Sequence, residues 1–260
     1  MYTDISSLDV EIQYHLTRLI AKQKRIIVMK KNNFLFVIAM FTALSHSNLS
    51  NAQVGFSPVV GINLANVNTS SGLLPAAPTL MPTFQVGGKV DYKIKQQVIL
   101  ESGIYFTGSG YNDNYSIYWN QVTSAVTVYN LEIPLNAVYS FAVKKVSGKF
   151  LLLAGPYIKF AIAGTHYVSG LPALFGSDGN QALKFGNDIT TQDQRMVDLG
   201  FNVGIGYEMK KLQFRFQYGF GLRNLEPQAN AQAGTPLQSV YNRIAQVTFA
   251  YRLGGAKKMD

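Results

Sequence analysis

Between positions 212 and 223, Leu212, Phe214, Phe216, Tyr218, Phe220 and Leu222 alternate with Gln213, Arg215, Gln217, Gly219, Gly221 and Arg223. A period of two sorts apolar from polar residues only when the backbone is extended; a helix would scatter both sets around its axis. The pattern recurs over 197–209, 84–94 and 127–143, and more weakly over 54–66, 97–107, 150–164 and 241–253. These are eight segments, many of ten residues or more. Strands of soluble proteins usually run to about five or six residues, whereas a tilted strand of about ten crosses a hydrocarbon layer.

The connections alternate in length. Lys95-Gln96, the span 144–149 and Lys210-Lys211 are short, while 67–80, 108–126, 165–196 and 224–240 are long. Short turns on one side and long loops on the other are the arrangement of outer-membrane barrels. The chain is therefore expected to be all-β: an eight-stranded antiparallel up-and-down transmembrane β-barrel over 53–253, with both ends of the barrel on the short-turn side. A short basic tail, 254–260, follows and is expected in the periplasm.

The two faces differ in more than polarity. The polar face carries Gly55, Gly61, Gly87, Gly103, Gly155, Gly200, Gly204, Gly206, Gly219 and Gly221, and the apolar face only Gly88 and Gly164. Glycine weakens a strand and has no use on a solvated surface, but a narrow barrel has little room for side chains inside. The polar face also holds Lys89, Asp91, Glu101, Glu132, Lys159, Asp198, Glu208, Arg215, Arg223 and Arg252. Charges pointing into a closed tube must pair. They are expected to form a salt-bridge and hydrogen-bond network that plugs the lumen and holds the wall together, rather than an ion path. Tyr92, Tyr139, Phe141, Phe150, Tyr207, Phe214 and Tyr251 fall near the short turns, and Phe106, Tyr129, Phe160, Phe220 and Tyr241 near the long loops. Such positions suit two interfacial girdles.

Composition supports the membrane reading. Charged residues are 14% of the chain, against about 25% in soluble domains. The formal charge is +9, but 17 of the 23 basic and 11 of the 14 acidic residues lie beyond position 52, a balance of +6 there. Lys95, Lys144, Lys145, Lys149, Lys210, Lys211, Lys257 and Lys258 sit in the short turns and tail. The long loops are mostly acidic, with Asp113, Asp178, Asp188, Asp193 and Glu226 against Lys184 and Arg195. A basic short-turn rim meets anionic headgroups. Nucleic acid is not an expected partner, because no surface mixes basic residues with stacking aromatics. The absence of Cys excludes disulfides and thiolate metal sites.

Residues 29–52 read as a signal peptide. Met29-Lys30-Lys31 opens it, Phe34 to Leu44 is an apolar run, and Ser50-Asn51-Ala52 suits cleavage before Gln53. Residues 1–28 precede that start; they are either an extension from a start codon assigned too early or a translated long leader.

Four segments carry a family resemblance: Val54 to Asn66 (VGFSPVVGINLAN), Leu100 to Gly110 (LESGIYFTGSG), Leu131 to Tyr139 (LEIPLNAVY) and Val247 to Leu253 (VTFAYRL). Together they resemble the PorT-like outer-membrane β-barrel proteins of Bacteroidota. The resemblance implies an integral protein of the outer membrane and no single activity. The family's recurring Leu-Glu-Ile-Pro on strand four is matched by Leu131, Glu132, Ile133 and Pro134, while the residues after the last aromatic strand, Gly254 to Asp260, depart from its pattern.

Catalytic chemistry is sparse. Of the three histidines only His166 lies beyond the signal segment, with Ser169 three residues on. A Ser-His centre needs an orienting acid; Glu132 or Asp198 could be considered, but no spacing supports either. No metal-ligand spacing, phosphate loop or cofactor motif is present, so no cofactor and no enzymatic activity are expected. The first expectation is a non-enzymatic barrel whose long loops bind something or which supports the envelope. The others are a component of a secretion or transport assembly and, least favoured, a lipid-processing barrel enzyme. Expected partners are outer-membrane lipids, the barrel-assembly machinery during insertion, and envelope proteins.

Overall fold

Each alternating segment forms a strand, and several strands run longer than the alternation requires. The computed structural model describes residues 54–70, 78–117, 119–144, 146–170, 178–188, 191–227 and 239–253. The expected signal peptide, the residues before it and the basic tail lie outside these residues, as do parts of three long connections, 67–80, 165–196 and 224–240. The strands are β1 (Val54–Ser70), β2 (Met81–Lys93), β3 (Val98–Ile117), β4 (Asn120–Phe141), β5 (Lys149–Ser169), β6 (Gly179–Ala182), β7 (Val197–Met209), β8 (Leu212–Gly221) and β9 (Ser239–Tyr251).

All pairings between these strands are antiparallel. Neighbours in sequence pair from β1 to β5, β5 pairs with β7, and β7 to β9 pair in order. The ring closes where β9 meets β1, from Val59 opposite Ala250 to Ser70 opposite Ser239. Among the described residues eight strands thus form the ring, and the ninth, β6, pairs only with the upper part of β5. The segment 165–196, expected to be a plain loop, contains the end of β5 and this extra strand. The segment 108–126, also expected to be a loop, is instead the continuation of β3 and β4 into a hairpin, with Ile117 opposite Asn120. Trp119 makes its turn with a left-handed φ of 71° and is 99% exposed. Polar, β-branched and aromatic residues alternate through this hairpin without a Pro, so it has no reason to leave the sheet.

Alternation decides which face is covered. Ile62, Ile205 and Phe249 point outward and are 64%, 59% and 54% exposed, whereas Lys89, Glu101 and Gln246 point inward and are 1% exposed. A soluble fold would reverse these assignments, because an apolar wall of this extent does not persist in water. The outward aromatics touch one another around the short-turn end. Tyr139 stacks on Phe141 at 6.0 Å, Phe141 on Phe150 at 5.8 Å, and Phe150 meets Tyr207 at 5.3 Å. Higher up the wall, Phe84, Phe106 and Tyr129 form a second group, with centroids 5.7 to 6.3 Å apart.

Two local features bend the simple pattern. Pro134 lacks the N–H that β4 would offer, and the ladder with β3 skips from Ser102–Leu135 to Tyr105–Glu132; the Ser102 hydroxyl donates to the Pro134 carbonyl at 2.8 Å. In β5 an extra residue at Ile162 shifts the register against Tyr129 and Asn130. Gly164, assigned to the outer face from sequence, is buried on the inner side as a result. A side chain there would meet Leu183 and Phe185.

Candidate functional site

The lumen is where the sequence concentrates its chemistry, and three layers fill it. The layer nearest the short turns is ionic. Lys89 on β2 bonds Asp91 at 2.9 Å and Glu101 at 2.6 Å. Arg215 on β8 grips both oxygens of Glu101, each at 2.6 Å. Arg252, just past β9, reaches Asp91 at 3.2 Å and Glu208 at 2.9 Å. Gln213 donates to Glu208 at 2.5 Å and accepts from Arg215 at 2.9 Å. Three carboxylates meet three cations, so the layer is neutral, and the two-pronged guanidinium contact fixes geometry as well as charge. One wall of the same end is apolar: Ile99, Val138, Leu151 and Leu153 pack together inward. An entirely polar inner face is therefore not what β3, β4 and β5 present.

The middle layer is neutral amide. Gln246 donates to Gln85 at 2.9 Å, Gln217 to Gln246 at 3.3 Å, and Asn63 to Thr107 at 2.8 Å. Tyr105 lies inward beside them, against Gly87 and Gly103, where any Cβ would meet its ring at 2.7 and 3.1 Å. A Cβ would come closer still to a backbone carbonyl, that of Ile104 at Gly87 and of Gly88 at Gly103, so backbone and ring together require glycine at these two positions.

The third layer joins Glu132, Lys159 and Asp198. Lys159 is 3.3 Å from Glu132 and lies over the Tyr157 ring at 4.4 Å. Asp198 accepts from Asn242 at 2.8 Å and from the Tyr157 hydroxyl at 3.3 Å, and Asn202 donates to Glu132 at 3.3 Å. The ring of Tyr157 occupies the space left by Gly200, in the same manner as Tyr105 below. Above this layer Val126, Val128 and Ala161 are buried with Tyr111, Leu183 and Phe185 packed on them.

Nine of the ten charges assigned to the lumen from sequence thus lie in two buried groups. Arg223 does not join them. It follows the end of β8, is half-buried, and forms no ion pair among the described residues. The alternation that placed it inward stops at Gly221, where the strand stops. The neutral members of the network, Gln85, Asn202, Gln213, Gln217, Asn242, Gln246, Tyr105 and Tyr157, were not among the residues assigned to it from the sequence, although Gln213 and Gln217 stand on the polar face of the 212–223 alternation. Their signal was parity, since each shares the inward register of the charges on its strand.

His166 and Ser169 stand on opposite faces of β5 and cannot act together. The ring of His166 instead bonds the hydroxyl of Ser124 on β4 at 2.9 Å. Among the described residues no group of His, Cys, Asp and Glu is arranged to hold a metal ion.

A profile of the outer membrane protein beta-barrel domain family matches residues 45–226. The chain belongs to that family. Its place is the outer membrane, and the apolar wall described above is the surface that meets lipid. Solved outer-membrane barrels are similar to the chain at low identity and low TM-score. Ail, the attachment invasion locus protein of Yersinia pestis, is 12% identical with a TM-score of 0.38, over 76% of this chain and 98% of Ail. Neisserial surface protein A is 15% identical with a TM-score of 0.37, over 75% of this chain and 96% of its own. The N-terminal β-barrel domain of Pseudomonas aeruginosa OprF is 12% identical with a TM-score of 0.27, over 74% and 97%. No curated protein matches the sequence.

Proposed function

We propose that this outer-membrane β-barrel is a non-enzymatic envelope protein that acts through the strands rising above its ring, with a lumen that is structural. The observation that carries this reading is the ionic layer. Lys89, Glu101 and Arg215 are almost wholly buried and ion-paired across β2, β3 and β8, so they tie opposite walls together and fill the bore. Within this reading the long connections face the outside, and β3, β4, β5 and β6 form a four-stranded sheet there that offers a surface to a partner or to the envelope itself. The recurring Leu131-Glu132-Ile133-Pro134 supports placing the chain among the PorT-like barrels of Bacteroidota. Outer-membrane lipids and, during insertion, the barrel-assembly machinery are its constant partners.

Planar-bilayer recording tests the central claim. The purified barrel should show no steady conductance, and stable channels in the wild-type protein would overturn a structural lumen. A second reading, a component of a secretion or transport assembly, draws on Lys95, Lys144, Lys210 and Lys211, which are exposed on the short turns. Its test is co-purification of envelope proteins with the wild type and their loss when all four lysines are changed to Gln.

A further inference from the structure

We infer that Arg243 is the centre of a binding site on the outer wall for the phosphate of an outer-leaflet lipid. Along β9, Tyr251, Phe249, Val247 and Ala245 face outward, and the same register turns Arg243 outward toward lipid. Opposite it on β1 the apolar run Val60, Ile62, Leu64 ends, and Asn66 and Asn68 follow, facing Arg243 and Tyr241. Along β1 and β9 the apolar wall therefore stops at this level, which is where headgroups begin, while Phe220 and Leu222 stay exposed on the β8 side. A lone cation placed there by chance would extend into water. This one is held instead: Nη1 donates to the carbonyls of Gly221 and Asn242, both at 2.8 Å, and the guanidinium lies 5.8 Å from the Phe220 ring.

That arrangement leaves a directed set of donors. A guanidinium carries five N–H groups. Two are used by the carbonyls, and the Nη2 and Nε groups have no partner among the described residues. Their geometry matches two oxygens of a phosphate. Two more arginines flank the same segment. Arg195 donates from Nη1 to the Asn224 carbonyl at 3.2 Å and its buried Nε has no partner among the described residues, and Arg223 lies in sequence between Gly221 and Asn224, whose carbonyls Arg243 and Arg195 use. None of the three forms an ion pair with a carboxylate among the described residues. Among the described residues Glu226, in the same segment, also pairs with none of them. An anion is the missing partner, and the lipid-facing position of Arg243 selects a lipid as its source over a free ion.

The site rests on the reading that the long connections face outward, so the two are tested apart. Native mass spectrometry of the detergent-solubilised barrel would measure binding of diphosphorylated lipid A and of its dephosphorylated form. The wild type should bind the diphosphorylated form about tenfold more tightly than R243Q does, and R243K should fall between, because a charged hydrogen bond is lost or weakened. R195Q/R223Q should lose less than R243Q. The dephosphorylated lipid should bind all variants equally and weakly. Equal binding of diphosphorylated lipid A by wild type and R243Q would overturn the site, and so would inorganic phosphate displacing the lipid at comparable concentration, since the source would then be a free ion. If R243Q does not fold, an R243K variant indistinguishable from wild type together with an inert R195Q/R223Q variant would overturn it equally. Orientation is read separately, by labelling an N180C variant on intact cells with an impermeant maleimide. Absence of labelling there would remove the outer leaflet as the setting whatever the binding result.

Discussion

Single side chains inside the ring divide sharply by what their loss would expose. Glu101 alone satisfies two cations, Lys89 and Arg215, on different strands. Glu101→Gln keeps the shape and removes the charge, leaving a buried net positive group. It should cost about 3–5 kcal/mol, the usual cost of breaking a buried pair, seen as a lower urea midpoint in lipid micelles. Arg223→Gln should change the unfolding free energy by no more than about 0.5 kcal/mol, as for most substitutions outside a network. Outside the membrane-spanning strands, Glu226 is held above its ordinary value of 4.5 by burial. Its folded form favours the proton, so the stability it contributes is full below that value and is lost as pH rises through the folded-state value. The Leu225 amide, which donates to Val240 at 2.9 Å, reports on this segment. Its hydrogen-exchange protection factor should fall between pH 4 and neutral in wild type and stay level in Glu226→Gln. At this scale the sequence was readable where parity was strict. It named the charges, because they are conspicuous on an alternating face. It passed over the glutamines and the two inward tyrosines, because those residue types are equally at home elsewhere.

Strand identity was legible for the same reason and strand length was not. All eight ring strands lie where the alternation put them, and β7 spans 197–209 as the pattern predicted. The errors are at the long-connection end. Once β3 and β4 leave the lipid, both faces are polar or mixed, so a period of two in hydrophobicity vanishes although the backbone stays extended. Sheet hydrogen bonds continue there on backbone terms alone, from Gly110 opposite Thr127 up to Ile117 opposite Asn120. The bulge at Ile162 is a second case: one extra residue reversed the facing of Gly164, and nothing in composition marks it. The hairpin above the ring should be separable from it. Removing 113–124 and joining the strands with Asn-Gly should leave a barrel that folds with unchanged far-ultraviolet dichroism minimum and an unboiled gel mobility still distinct from the boiled form. Loss of that distinct mobility would mean the extension is part of the folding unit.

For the molecule as a whole, the deciding fact is the inversion of its surfaces. An exterior of Ile, Leu, Val and Phe and an interior of Lys, Glu, Arg and Gln are stable only where the outside is hydrocarbon. Membranes from cells expressing the chain should keep it after alkaline washing. Recovery in the wash without detergent would contradict the fold's lipid-facing wall. What could not be read at this scale is purpose. Barrel walls obey lipid and packing, so their pattern is shared by proteins of unrelated roles, whereas a role resides in surfaces above the wall whose sequence follows no period.

The seam between β9 and β1 has a consequence for how the chain is made. The first strand to emerge waits for the last: Val59 finds Ala250 and Thr69 finds Val240 only after every intervening strand has been synthesised. Until then two unpaired borders coexist on one polypeptide, each a template for stray association. A chain halted before position 239 would keep both, and the zipping of these two borders is the single event that removes them.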